Sequence, residues 1–183
     1  MPKAIIILAD GFEDIEAVTP IDLLRRANVE VTVAGLDSVS VTGARGKIRI
    51  TADTILDKAG VDYDAVILPG GMPGAANLAK SEKIRSLIIE MNKKGKIIAA
   101  ICAAPALVLS PLGILNNKNA TCFPGMENEF NPTTKFLKEQ VVVDGKIITS
   151  RGAGTAFLFG LALVEALAGK KMRDEIALKT VYQ

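Results

Sequence analysis

Histidine is absent from this sequence of 183 residues. Its absence excludes a Ser-His-Asp or Cys-His catalytic arrangement built from this chain alone, and it excludes a histidine-ligated metal site. Any chemistry must therefore use cysteine, a carboxyl group, lysine, arginine, tyrosine or the backbone.

Cysteine, excess charge and long apolar runs are also scarce. The two cysteines lie 20 residues apart without a CxxC motif, so they indicate neither a disulfide framework nor a zinc site. The net charge of +2 is too small to favour nucleic acid or an anionic membrane as the main partner. The first apolar run has six residues, fewer than a signal peptide or membrane span needs. We therefore expect a cytoplasmic protein with no membrane partner and no specific nucleic-acid partner.

The composition that is present is that of an ordinary globular protein. Hydrophobic residues make up 49% of the chain and charged residues 23%. The length suits one domain with a sizeable core, and no linker, repeat or change in composition divides it. We expect a single domain over residues 1–183.

Short β-branched runs alternate with stretches of helical period. Strands are predicted at 3–9, 29–35, 64–71 and 96–101, and hairpins at 39–50 (Gly43 and Gly46 near its turn) and 141–150 (Asp144-Gly145 at its turn). Helices are predicted at 13–27 (apolar stripe Ile15, Val18, Ile21, Leu23 and Leu24), 81–93 (N-cap Ser81), from 103 onward, 155–168 (closed by Gly169) and 170–181.

This alternation predicts an α/β fold with a mainly parallel sheet and helices on both faces. In such sheets the binding crevice lies beyond the carboxyl ends of the strands. Three segments follow predicted strands, "DGFEDIE", "PGGMPG" and "CAAP". We expect them to converge.

Cys102 lies between a predicted strand and a predicted helix, with small residues around it. Small neighbours permit a tight elbow that exposes a nucleophile. A helix N-terminus would lower the pKa of the thiol. A free cysteine is also often a buried, inert residue, so the local sequence leaves both interpretations open.

Two further features can serve such a thiol. Glu16 shares a helix face with Phe12 and Pro20, so an inward carboxyl can hydrogen-bond the sulfur or move a proton. Acids at a helix N-terminus are otherwise common. Gly70 and Gly71 allow a close backbone approach and can present N–H groups to an oxyanion, although a glycine-rich turn after a strand is also common.

Four blocks together resemble the ThiJ/PfpI superfamily, namely "ILADGFEDIEAVTPIDLLRRA", "AVILPGGMPGAANL", "IAAICAAPALVL" and "ITSRGAGTAFLFGLALVEAL". Their order is most similar to the Parkinson-disease-protein branch, which includes bacterial chaperone-like relatives. The resemblance implies a flavodoxin-like three-layer fold and a homodimer with the first helix near the interface.

The resemblance also implies roles for individual residues. It assigns Cys102 as the nucleophile and redox-sensitive thiol, and Glu16 as the carboxyl that hydrogen-bonds it. It assigns Gly71 and Ala103 to the backbone N–H groups of an oxyanion pocket. Arg26 and Arg45 match basic positions near the interface or an anion cleft, where they can equally be solvated surface charges.

Two positions depart from family patterns. Ala103 stands where the peptidase-like branch has a histidine, and Phe123 stands where some closer relatives have one. These departures argue against a cysteine-histidine protease. Cys122, beside Phe123, is either a resolving thiol or an inert small residue.

The leading hypothesis is a cofactor-free, metal-free enzyme acting on 2-oxoaldehydes such as methylglyoxal, or on their early adducts with proteins (deglycase activity). The alternative is an oxidation sensor with chaperone-like function, whose Cys102 sulfinate is stabilised by protonated Glu16. A structural dimer with an inert thiol is the third.

Overall fold

The secondary structure alternates as the sequence predicts. The structure is a computed structural model and describes residues 1–45 and 48–182. Its strands are β1 (Lys3–Leu8), β2 (Glu30–Gly35), β3 (Ser40–Thr42), β4 (Arg49–Thr51), β5 (Thr54–Ile55), β6 (Ala65–Leu68), β7 (Ile97–Ile101), β8 (Asn119–Ala120), β9 (Lys135–Phe136), β10 (Val141–Asp144) and β11 (Ile147–Ser150). Its α-helices are α1 (Asp14–Arg26), α2 (Gly74–Lys80), α3 (Glu82–Lys93), α4 (Ala156–Ala168) and α5 (Lys170–Lys179).

Within these residues seven strands form the main sheet, in the order β10-β11-β7-β6-β1-β2-β5. Each neighbouring pair is parallel except β10 with β11, which forms the predicted antiparallel hairpin. The mainly parallel, flavodoxin-like α/β fold is therefore confirmed.

The central strands are apolar on both faces because each face is covered by helices. In β1, Ile6 and Leu8 lie in a core with residues of α1 and α4. Ile5 and Ile7 point to the other face and lie in a second core with residues of α2 and α3. In the described residues, no helix is both long and apolar enough to span a bilayer.

Most of the predicted elements are present with boundaries shifted by one or two residues. The N-cap prediction for α3 is confirmed, since the Ser81 hydroxyl accepts the N–H of Ile84. Strands β3 and β4 form the predicted hairpin. Gly43 forms an isolated bridge with Phe12, whereas Gly46 lies outside the described residues.

Three details differ from the prediction. Helix α2 was not predicted, because its sequence begins in a Gly- and Pro-rich turn. The segment after Cys102 is a five-residue π-helix, Pro105–Leu109, in place of an α-helix. The predicted apolar stripe of α1 is divided, because Leu23 and Leu24 are buried whereas Ile15 and Val18 are about half exposed.

The three converging segments meet at the carboxyl edge of the sheet, as expected. Strands β1, β6 and β7 are adjacent and parallel, so the loops that follow them emerge side by side. The N–H of Glu13 donates to the carbonyl of Gly70 at 3.0 Å, and the N–H of Gly74 donates to that of Gly11 at 3.1 Å. These bonds hold the loops after β1 and β6 together beside Cys102.

Candidate active site

Cys102 occupies a strained turn directly after β7. Its φ is +65°, a left-handed conformation that few non-glycine residues adopt and that costs on the order of 1–3 kcal/mol. Two backbone hydrogen bonds hold the turn. The Cys102 N–H donates to the carbonyl of Ser150, and the Cys102 carbonyl accepts the N–H of Phe123 at 2.8 Å. The tight elbow expected after this strand is therefore present.

Glu16 projects from the first turn of α1 into the protein and is completely buried. Its Oε2 accepts the N–H of Gly70 at 2.9 Å, while Oε1 is buried without a hydrogen-bond partner among the described residues. Burial raises the pKa of Glu16 to about 7, although hydrogen bonds from Cys102 and Gly70 oppose the rise. The carboxyl group thus changes its protonation near neutral pH.

Gly70 lets the thiol and the carboxyl group meet. A Cβ at this position would lie 2.6 Å from Cys102 Cβ and 2.8 Å from Glu16 Oε2, closer than van der Waals contact allows. The absence of a side chain is therefore a steric requirement of the site. Its N–H binds Glu16, so Gly70 serves the carboxyl group.

Gly71 and Ala103 serve the sulfur. Hydrogen bonds from their backbone N–H groups to Cys102 act to lower the pKa of the thiol. Gly71 reaches this position with φ +85°, and a Cβ there would collide with the Glu13 backbone at 2.3 Å. Gly71 and Ala103, which the family resemblance assigns to the oxyanion pocket, therefore both lie next to Cys102.

Of the two interpretations left open for Cys102, the one with a lowered thiol pKa does not agree with the structure. Burial, followed by the charge of Glu16, raises the pKa of the thiol to about 12. The π-helix that follows has only five residues, so it does not supply the helix dipole on which the expectation relied. Burial and the adjacent carboxyl group outweigh the backbone N–H groups.

Cys102 and Glu16 therefore titrate as a pair. The first proton leaves near pH 7, and the second is retained far into the alkaline range because it would put two negative charges in one buried site. The singly charged pair has two forms, one with a carboxylate beside a thiol and one with a neutral carboxyl group beside a thiolate. The second form is a nucleophile next to a proton donor.

The remaining candidate residues lie outside this pair. Arg26 forms an exposed ion pair with Asp22 at 2.8 Å. Arg45 is 83% exposed and lies 3.7 Å from the Glu13 carboxylate, at the border of the site. Cys122 is a fully buried free thiol, and burial raises its pKa to about 12.

Sequence reasoning missed the loop between β11 and α4 as part of the site. The backbone carbonyl of Ser150 accepts the N–H of Cys102. A Cβ added to Gly152 would lie 3.9 Å from Glu16 Oε1. The Thr155 hydroxyl accepts the N–H of Gly152 at 3.1 Å and holds this loop closed. Closely spaced glycines in "SRGAGT" were the available signal.

A separate cleft of about 360 Å³ lies at the same sheet edge, beside the ends of β1 and β2. Asp10, Asp37, Asn77 and Lys80 are among its lining residues, whereas Cys102 and Glu16 are not. Within residues 1–45 and 48–182, no three acidic or cysteine side chains are arranged to hold a metal ion.

Residues 2–166 match the model of the DJ-1/PfpI family, and the chain belongs to this family. Protein DJ-1 homolog B of Arabidopsis thaliana is 41% identical over 182 residues, which are 98% of this chain and 41% of the plant protein. The chain thus spans less than half of that relative's length. Glutathione-independent glyoxalase DJR-1.2 of Caenorhabditis elegans is 35% identical over 177 residues, 95% of this chain and 93% of the relative.

Solved structures agree with this assignment. The crystal structure of Drosophila melanogaster DJ-1beta matches with a TM-score of 0.94 and 38% identity, covering 100% of this chain and 98% of the other. Oxidized Toxoplasma gondii DJ-1 matches with a TM-score of 0.93 and 36% identity, covering 100% and 99%. The likeness covers the whole fold that positions the site.

Gly70→Ala should lower the free energy of unfolding by about 1–3 kcal/mol, because the new methyl group collides with Cys102 and Glu16. Gly60→Ala is the matched control, since an added Cβ there has no atom within 4 Å. The control should change stability by less than about 0.5 kcal/mol. Urea unfolding of both variants measures this, and equal stabilities would contradict the packing described.

Proposed function

We propose that this protein is a glutathione-independent glyoxalase that converts 2-oxoaldehydes such as methylglyoxal into 2-hydroxy acids. The observation that carries the proposal is the proximity of Cys102 to the buried carboxyl group of Glu16, since a single Cβ on Gly70 would lie 2.6 Å from Cys102 Cβ and 2.8 Å from Glu16 Oε2. Burial raises the pKa of that carboxyl group to about 7. This pair supplies a nucleophile and a proton carrier without histidine.

The first step joins the thiol to the aldehyde. The Cys102 thiolate attacks the aldehyde carbon and forms the C–S bond of a hemithioacetal. Glu16, neutral in the reactive form of the pair, gives its proton to the oxygen that was the aldehyde carbonyl. The backbone N–H groups of Gly71 and Ala103 are available to stabilise negative charge on that oxygen before the proton arrives.

The second step moves the hydrogen of the former aldehyde carbon to the former ketone carbon. Glu16, now a carboxylate, removes that proton and leaves an enediolate. The hydroxyl proton on the former aldehyde oxygen shifts to the former ketone oxygen, Glu16 returns its own proton to the former ketone carbon, and the product is a thioester of Cys102. The oxidation of one carbon is balanced by the reduction of the other, so no external oxidant or reductant takes part.

Hydrolysis completes the cycle. Water adds to the thioester carbonyl and the C–S bond breaks, which releases the 2-hydroxy acid and restores the thiol. The overall reaction adds one water to one 2-oxoaldehyde, and methylglyoxal yields lactate. Reversal of early aldehyde adducts on proteins is the same thiol chemistry applied to a hemiaminal, and it forms part of the proposal.

The similar Caenorhabditis protein named as a glutathione-independent glyoxalase supports this choice of reaction. Further support comes from the buried site itself. Enclosure of Glu16 keeps bulk water from exchanging its proton, so the proton taken from one carbon can be returned to the next.

A second candidate function is oxidation sensing, and the unpartnered Oε1 of Glu16 favours it. Two molecules of peroxide would take the Cys102 thiolate to a sulfenic and then a sulfinic acid, with peroxide reduced to water. A protonated Oε1 would donate to a sulfinate oxygen, and chaperone-like activity would belong to this oxidised form. The similar Toxoplasma protein has been solved in an oxidized state.

We further propose that the protein is a homodimer that pairs through α1. Ile15 and Val18 leave 52% and 48% of their surfaces exposed on this helix, although the core takes up its other apolar residues. Exposed apolar side chains clustered on one helix face are typical of an interface. Arg26 lies on the same helix, in the position that the family resemblance puts near the interface.

Purified protein mixed with methylglyoxal, without glutathione, should produce lactate. Cys102→Ser removes the nucleophile and should lower kcat/KM by at least about a hundredfold. Glu16→Gln keeps the side-chain size but cannot carry the proton, and should lower it by about 10²–10⁴-fold. Absence of lactate from folded wild-type protein would contradict the glyoxalase proposal, and a mass increase of Cys102 under mild peroxide would then favour the sensor.

Val18→Arg should convert the dimer to a monomer, because a buried, unpaired charge at the interface is costly. The matched control is Val61→Arg, at an apolar residue that is 68% exposed and lies outside α1. Light scattering gives the molar mass of each. A monomeric wild-type protein, or dimers in both variants, would contradict pairing through this helix.

A further inference from the structure

Phe123 is a large apolar side chain that remains 47% exposed beside the reactive pair. Its N–H donates to the carbonyl of Cys102 at 2.8 Å, so its backbone is fixed to that of the nucleophile. By contrast, Phe12 and Phe159 are buried in the core. Phe123 thus belongs to neither of the two apolar cores.

The ring of Phe123 and the carboxyl group of Glu16 approach the same point. An ideal Cβ on Gly152 would lie 3.5 Å from Phe123 Cδ2 and 3.9 Å from Glu16 Oε1. The ring therefore lies on the side of the site where Glu16 Oε1 has no hydrogen-bond partner among residues 1–45 and 48–182. A substrate bound to Cys102 and Glu16 would have this ring as a neighbour.

The loop that carries Phe123 is held in place by hydrogen bonds. The Phe123 carbonyl accepts the N–H of Met126 at 3.1 Å, and the Glu127 carboxylate accepts that of Gly125 at 2.7 Å. Because the backbone is already held, binding of a flat apolar group to the ring would cost little ordering of the loop. The residue is thus suited to binding.

Charge near the site disfavours an anionic substrate. Glu13 is close enough for its charge to raise the pKa of Glu16, and Arg45 already faces Glu13 at 3.7 Å from an 83% exposed position. A carboxylate or phosphate on the substrate would be repelled by Glu13 and by the ionised form of Glu16. A neutral, apolar substituent avoids that cost and gains contact with the ring.

We propose that Phe123 is a specificity-determining residue that makes the site prefer 2-oxoaldehydes with an apolar, above all aromatic, substituent on the ketone carbon. The inference rests on the proposed function, because it names the substrate class of the same site. Packing of two aromatic rings supplies the preference.

The test compares kcat/KM for phenylglyoxal with kcat/KM for glyoxal, which has no substituent. The wild-type ratio should exceed one, and Phe123→Ala should lower it about three- to tenfold, as loss of an aromatic contact does. Phe123→Leu, which preserves apolar volume, should give an intermediate ratio. Phe157 lies in α4, and its ring stacks on that of Tyr182. Phe157→Ala is the control variant and should leave the ratio unchanged. An unchanged ratio in Phe123→Ala would overturn the inference.

A second measurement separates this inference from the proposed function. Maleimide and N-phenylmaleimide both form a C–S bond with a thiolate and need no turnover, so their rates of addition to Cys102 report the ring contact alone. The ratio of phenyl to unsubstituted rate should fall about three- to tenfold in Phe123→Ala. If wild-type protein turns over no 2-oxoaldehyde, the proposed function fails, and the ratio of the two maleimide rates alone decides the role of Phe123. The same maleimide ratio in Phe123→Ala as in wild type would overturn the inference that Phe123 binds an apolar substituent.

Discussion

A fully buried carboxyl group and a partly buried thiol lie side by side in this protein, and their site disfavours a second negative charge. Removal of either group from water disfavours its charged form, and proximity makes the second ionisation harder still. The pKa of Glu16 accordingly rises to about 7 and that of Cys102 to about 12. One proton is shared between the Cys102 sulfur and the Glu16 carboxyl group, and both proposed activities depend on it.

The surrounding structure serves to bring these two groups together. Strands β1, β6 and β7 lie side by side and parallel, so Glu16, Gly70 and Cys102 reach one edge of the sheet from three distant parts of the chain. Gly70 leaves the space in which they touch, and the strained turn at Cys102 keeps the sulfur there. The central strands keep this turn in place because apolar cores pack against both of their faces.

Much of this arrangement could be predicted from sequence because it depends on local patterns and on one topological rule. Buried strands and amphipathic helices have distinct periods, and parallel order brings the loops after β1, β6 and β7 together. The absence of histidine limits the chemistry to other residue types, and the family resemblance names Cys102 and Glu16, which the structure places side by side. The inward direction of Glu16 also followed from the helix face it shares with Phe12.

The errors arose where three-dimensional packing overrides local chemistry. The local sequence left open a thiol whose pKa is lowered by a helix N-terminus and a buried, inert thiol, and in the structure burial by distant residues raises that pKa. The position of Gly152 beside Glu16 depends on long-range packing, and only the closely spaced glycines of its loop indicated it. Ile15 and Val18 fit the period of a buried helix stripe, but the core ends before it reaches them.

The central claim is that Cys102 and Glu16 share one proton near neutral pH, and the pH dependence of Cys102 alkylation tests it most directly. Iodoacetamide reacts with the thiolate, and mass spectrometry distinguishes Cys102 from the buried Cys122. In wild-type protein the rate should rise with a midpoint near pH 7, where the pair loses its first proton. In Glu16→Gln the thiol titrates alone, and because burial raises its pKa the midpoint should move well into the alkaline range. The same midpoint in both proteins would contradict the shared proton.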